Sequence, residues 1–472
     1  MQSFLKPTRR HVLQGAAALG ATFFARPGFA ATPLLNVQSR QIEVLGKSAT
    51  VYGITGPDGQ PGWIGAEGMR FAGEVLNATD QGLALHYHGQ VLAPYGVDRA
   101  GPGGGELAVG ASEAVDFTVT PGTHWMHSHS LSEQQLLAAP MVAREANAAD
   151  IAEAVIMLHD FSFTPPAELL AALEGAAKAG GMKMDHSKMG ADGATMDMSE
   201  AGAMMSHAND IDYDAYLAND RTLADPQVIA AEPGQPLRLR IINGATATGF
   251  WVLTGALSAQ VVAVDGNACL PFTGTAFPLA QGQRIDLIVS LPIGGGAFPI
   301  VAQVEASRRR TGVILASAGA EVTRVADEAD AEAALVDLSL DQALTAARPL
   351  AERPATAIHQ LMLGQDAGYS WTINGKTHGN HTPLAARLGE RVELVFMNQS
   401  MMMHPMHLHG HHFQVVDING WRFAGPMRDT VIVPPMAMVT VALDAGPAGA
   451  WFLHCHHLYH MATGMMTELV VA

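Results

Sequence analysis

Most of the twenty-one histidines in these 472 residues fall in four short clusters. The first reads Leu85-His86-Tyr87-His88-Gly89 and the second His124-Trp125-Met126-His127-Ser128-His129. The third is His404-Pro405-Met406-His407-Leu408-His409-Gly410. The fourth is His454-Cys455-His456-His457-Leu458-Tyr459-His460, with Met465 shortly after it. Each cluster contains a His-x-His, and on a β-strand residues i and i+2 point to one face. Four such strands can offer eight imidazoles, enough to hold three copper ions with room left for oxygen. In the fourth cluster His454 and His456 share a face and Cys455 must point the other way, so one strand would touch two metal sites. Cys455 can join His404, His460 and a weak axial Met465, the His₂Cys set with a distant thioether that defines blue copper. Coordination makes the thiolate available, and the chain from Cys455 to His454 and His456 is a short electron route between the sites. A lone His-x-His is weak evidence; His-Cys-His followed by His460 and Met465 is far more specific. Zinc has no use for a thiolate-plus-thioether site beside eight imidazoles.

Short strands must position these groups. Patterned stretches at 40–44, 114–119, 237–242, 284–289, 391–396 and 431–433 read as strands separated by Pro- and Gly-rich turns, which predicts β-sandwiches. Three segments share a pattern: residues 69–77, 237–243 and 391–398 each follow a nearby glycine, are apolar, and end in asparagine (Asn77, Asn243, Asn398). A strand that recurs at such a long period implies a repeat of whole domains, placed at 33–147, 148–335 and 350–472. Thr164-Pro165-Pro166 predicts a helix running to Lys178, with prolines in its first turn.

Residues 180–209 stand apart. Met182, Met184, Met189, Met196, Met198, Met204 and Met205 sit there among Asp, Ser, Gly and Lys, together with His186 and His207 and without a helical stripe. Core packing does not explain them, whereas thioethers suit soft Cu(I); the alternative is a linker with incidental methionines. Residues 1–30 read as a twin-arginine export signal: Arg9-Arg10, an apolar stretch at 15–25, and small residues up to Ala30; the alternative is an ordinary export signal whose two arginines are just its basic end. The predicted location is the periplasm, reached through the twin-arginine machinery. The formal charge is −17, and the leader holds four basic side chains (Lys6, Arg9, Arg10, Arg26) and no acid, so the remainder stands at −21. That surface argues against nucleic acid and anionic membranes as partners, and no apolar run is long enough for a membrane span. Of the two cysteines, Cys269 is expected to be a buried thiol if Cys455 is a ligand.

On the four motifs the chain resembles the three-domain multicopper oxidases, the family of laccases and bacterial copper-resistance and cuprous oxidases, over essentially its whole mature length. The resemblance implies an all-β fold of three cupredoxin-like Greek-key sandwiches, with four copper ions in domain 3 and at the domain 1–3 boundary. It implies that His404, Cys455, His460 and Met465 hold the type 1 copper, and His86 and His407 the type 2 copper. His88, His127 and His456 match one type 3 copper, and His129, His409 and His454 the other. His124, His411, His412 and His457 match no ligand position and are read as groups behind the ligands or on the surface. The implied activity is oxidation of Cu(I) or a small phenolic donor coupled to reduction of O2 to water, with Cys455 as the point of electron entry. Two positions depart from the pattern. Met461 stands where many bacterial members carry a proton-relaying Glu, which leaves Asp98 as the candidate for proton delivery. Ser400, followed by Met401, Met402 and Met403, stands where cuprous oxidases place an acid. A periplasmic copper-sequestering protein with incidental turnover is the competing reading. A copper-free structural relative would have lost ligands, and a two-domain nitrite reductase would lack the full histidine set.

Overall fold

The computed structural model describes residues 34–98, 100–146, 151–178 and 208–472. Residues 1–30, read above as an export signal, and almost all of the Met-rich stretch lie outside these. Among the described residues, six sheets come from three successive stretches of sequence, two sheets from each. In the first stretch, strands Leu35–Val44, Lys47–Thr55, Arg70–Ala78 and Ser112–Thr118 form one sheet. Trp63–Ala66, Leu85–His88, Gly122–Ser128 and Ala138–Arg144 form the other. Alternate residues of both (Leu35, Val37, Phe71, Val115 and Phe117 against Leu85, Tyr87, Met126 and Met141) are buried in one shared core. That is the two-layer solution a one-sided apolar sheet requires. The chain is an all-β assembly of cupredoxin-like sandwiches.

The repeated strand is the organising element. In the three stretches Arg70–Ala78, Pro236–Asn243 and Arg391–Asn398 each lie parallel to the strand that opens their stretch (Leu35–Val44, Ala152–Phe161, Ala357–Asp366). On the other side each lies antiparallel to Ser112–Thr118, Arg284–Ser290 or Met438–Asp444. The terminal asparagine does the same work three times. Asn77, Asn243 and Asn398 are buried. Their Oδ1 atoms accept from the backbone N–H two residues on (Thr79, Ala245, Ser400), and their Nδ2 groups donate to two carbonyls across the turn, or three for Asn398. An Asx turn of this kind stops the strand and satisfies backbone groups that burial would otherwise leave unpaired.

The helix Pro166–Lys178 forms as its sequence predicts. Its apolar side (Leu169, Leu170, Leu173) packs onto the core beside the short turn Leu131–Gln135. Cys269 is a buried free thiol, which burial pushes up to about 11. Among the described residues no helix is long and apolar enough to cross a membrane.

Candidate metal centres

Strand pairing delivers the histidines two at a time. His86 stands directly across from His127 on antiparallel strands of the first stretch, and His407 directly across from His454 in the third. Strands end just before His129, His409 and His456, so the second imidazole of three of the four pairs is carried by the first loop residues. All eight rings nevertheless meet. The Nε2 atoms of His86 and His407 are 3.2 Å apart, and those of His129 and His409 each lie 3.1 Å from His454 Nε2. The rings of His88, His127 and His456 lie side by side, with centroids 5.0 to 5.7 Å apart.

Cys455 pairs across with Met406 rather than with a histidine, so it faces the opposite side of the sheet from His454. There its Sγ lies 3.6 Å from His404 Nδ1 and 3.7 Å from His460 Nδ1, and the two nitrogens are 3.2 Å apart. A triangle of this size encloses one ion at first-row metal bond lengths, roughly 2.0–2.3 Å. All three side chains are fully buried, as is Met465. Met465 is tied into the same turn: its N–H donates to the His460 carbonyl, and its carbonyl accepts from Cys455 N–H.

Both pockets fit a metal on chemical grounds. His407 Nδ1 and His454 Nδ1 face carbonyl oxygens at 2.8 and 2.9 Å, and a carbonyl only accepts, so each ring carries its proton on Nδ1. Their Nε2 atoms are therefore bare lone pairs aimed at other imidazole nitrogens, an arrangement that needs a cation between them. His88 Nδ1, His127 Nε2 and both nitrogens of His456 are buried without a hydrogen-bond partner, a costly state unless a ligand completes it. Burial, and after it neighbouring imidazoles, hold His86, His88, His129 and His407 well below the usual histidine range. Burial pushes the Cys455 thiol far up, so its thiolate needs a bound cation.

Comparison with known proteins agrees. Family models described as multicopper oxidase match residues 155–319 and 352–472. A multicopper oxidase of Mycobacterium tuberculosis, MmcO, is 31% identical over 98% of this chain and 92% of its own length. The chain belongs to the multicopper oxidase family. It is also similar to copper resistance protein A of Escherichia coli, 25% identical over 99% of both chains. In fold it is similar to Fet3p, a multicopper oxidase that functions in iron import (TM-score 0.73, 17% identity, 92% of this chain and 90% of that one). The laccase of Botrytis aclada gives a TM-score of 0.73 at 20% identity, over 92% of this chain and 86% of that one. This multicopper oxidase is therefore an oxidoreductase whose cofactor is copper.

Around the two pockets of this oxidase stand groups of three kinds. Asp98 Oδ2 lies 2.5 Å from His86 Nδ1 and 3.5 Å from His409 Nδ1. A cleft of about 270 Å³, lined by Tyr95, Asp98, His409, Trp451 and Phe452, connects it to solvent. Ser400 Oγ lies 2.7 Å from His404 Nε2 and donates to Asn398 Oδ1, so the Asx turn of the repeated strand reaches the Cys455 pocket directly. Trp371 covers His460 with ring centroids 3.9 Å apart, and His457 stacks on the same ring at 3.7 Å.

The sequence reading missed Glu133. It sits in the buried turn after the second motif, and its Oε2 is 3.1 Å from His127 Nδ1. Burial pushes its carboxyl up, and His127 beside it pulls it back. Its position six residues beyond His127 was the only available signal, and spacing alone does not say that the turn folds back. The four histidines outside the ligand pattern are not surface groups. His124 receives Arg284 at Nδ1, His411 accepts from Gly446 N–H at Nε2, His412 faces Asp429 and His457 faces Asp210. Crowding of two sandwiches around one pocket buries what the sequence left open.

Proposed function

We propose that this oxidase draws single electrons from Cu(I), or from a phenol-like donor, at the Cys455 pocket. Four such electrons, with four protons, reduce one O2 to two waters at the eight-imidazole pocket. The observation that carries this reading is the strand ending in Cys455: it offers sulfur to one three-ligand pocket and His454 to a multi-imidazole pocket on its other face. His404, Cys455, His460 and Met465 would hold a type 1 ion and His86 and His407 a type 2 ion. His88, His127, His456 and His129, His409, His454 would hold a type 3 pair, giving four coppers. When bound, copper supplies one-electron redox chemistry at the first pocket and oxygen reduction at the second.

The protein's own residues do the rest. The backbone from Cys455 to His454 and His456 joins the pockets covalently. Trp371 and His457 cover His460 and keep water from the first pocket. Ser400 fixes the His404 ring. Asp98, between the cleft and His86, takes protons from solvent and holds them beside the oxygen pocket. Domains at 33–147, 148–335 and 350–472 accord with the three sheet pairs, and the twin-arginine leader in residues 1–30 supports a periplasmic location.

Cu(I) is favoured as donor, with a role in copper tolerance. The Met-rich stretch offers soft ligands. Asp210, which follows that stretch in sequence, accepts from Tyr369 Oη and lies 3.5 Å from His457, the ring stacked on His460. Similarity to copper resistance protein A points the same way. Steady-state oxygen uptake with Cu(I) and with a phenol tests the reading. Deletion of 182–205 should lower cuprous turnover more than turnover of a small organic dye, and equal losses would remove the Cu(I) role. A copper-loaded protein that consumes no oxygen would establish sequestration instead. Cys455→Ser should abolish the intense blue absorption.

A further inference from the structure

A second set of ligand-type side chains lies outside the two pockets. The short turn His378–Asn380 and the residue after it carry His378 and His381 with parallel rings, centroids 4.9 Å apart. Strand Met466–Val471 brings Glu468 beside them, directly across from Phe452 on the strand that ends in Cys455. His381 Nδ1 donates to the His378 carbonyl, which leaves Nε2 as the nitrogen that can act as a ligand. That Nε2 has no hydrogen-bond partner and faces Glu468 Oε1 at 3.7 Å. The separation is too long for a hydrogen bond and suits two ligands that share one ion at roughly 2.1 Å each. His378 Nδ1 is likewise unpartnered, and burial, with His381 beside it, keeps His378 below the usual histidine range and so neutral. All three residues keep some exposure, while the two unpartnered nitrogens themselves are buried.

We infer that His378, His381 and Glu468 form a further metal site that takes one divalent cation of borderline softness, Cu²⁺ in preference to Zn²⁺. Two imidazoles and a carboxylate bind first-row divalent ions in the order that peaks at copper, and the absence of sulfur disfavours Cu(I). The site is thus chemically distinct from the Met-rich stretch and does not depend on which donor the enzyme oxidises. Its anchorage is rigid on one side: His378 N–H donates to the Gly464 carbonyl, and the His378 ring packs against Phe452.

The copper-loaded enzyme is titrated with Cu²⁺ and followed by calorimetry and by electron paramagnetic resonance. The wild type should bind one equivalent more than the H378A/H381A double variant, with E468Q weakening that equivalent about tenfold or more. Blue absorption and dye turnover of the variants should match the wild type, which confirms that they fold. The added signal in the wild type should carry nitrogen hyperfine structure from two imidazoles. Identical isotherms for wild type and double variant, or an added signal without nitrogen coupling, would overturn the site and leave His381 and Glu468 as an ordinary ion pair.

Discussion

At the scale of the residue, the groups behind the pocket histidines decide what those histidines can do. Asp98 is the only carboxylate touching both His86 and His409 among the described residues. Asp98→Asn keeps the shape but removes the proton acceptor. Proton transfer by a positioned group is worth roughly 10²–10⁴ in rate, so oxygen turnover should fall by about a hundredfold or more while the blue absorption stays. Loss of the blue band would show a structural role instead. Glu133 acts differently, because it braces His127 from behind as a carboxylate–histidine–metal triad does. Glu133→Ala should weaken copper retention at the eight-imidazole pocket by roughly 10–100-fold, measured as copper content after dialysis against a chelator, with copper at the proposed Cys455 site retained.

At the scale of the element, the repeated strand gives an internal control. Asn243 and Asn398 occupy equivalent places and make equivalent bonds, but only Asn398 leads to Ser400 and His404. Replacement of either by alanine leaves buried carbonyls and an N–H unpaired, at about 1–3 kcal/mol per group. Both variants should therefore unfold at clearly lower urea concentration. Only Asn398→Ala should also shift the blue absorption, because the turn it stabilises positions His404. A spectral change in Asn243→Ala would mean that the strand ends are coupled through the cores.

At the scale of the whole molecule, buried charge holds the three sandwiches together. Arg284 comes from the second stretch. It donates to the Thr123 carbonyl of the first and, through both Nη groups, to Asp429 of the third, and all of these are fully buried. Asp429 Oδ1 in turn lies 3.1 Å from His88 Nε2. Arg284→Met strands a buried carboxylate, a loss of about 3–5 kcal/mol, and should release copper as well as lower the melting temperature. Glu305 joins the second sandwich to the segment that leads to the third, by accepting from Gly249 and Val336 N–H. Burial pushes it up to about 7 from 4.5. Its proton is therefore held more tightly in the folded state. The stability it contributes is complete below pH 4.5 and is lost as pH rises towards 7, by about 3 kcal/mol. Glu305→Gln should flatten that part of the pH dependence of the urea midpoint, and an unchanged slope would assign the pH dependence to other groups.

The sequence by itself determined the candidate ligand types and that Cys455 and His454 face opposite sides of one strand. Alternation along a strand is a local property, and His-Cys-His carries it in three adjacent residues. Strand locations, the helix Pro166–Lys178 and the threefold recurrence of the Asn-terminated strand were legible for the same reason: each depends on neighbours in sequence. Only the tertiary structure decided that His86–His127 and His407–His454, more than three hundred residues apart, close on one pocket. It also decided that Glu133 folds back onto His127, that Arg284 bridges three sandwiches, and that a turn holding His378 and His381 lies against Glu468. These are contacts between elements, set by how the sandwiches pack, and no spacing along the chain encodes them.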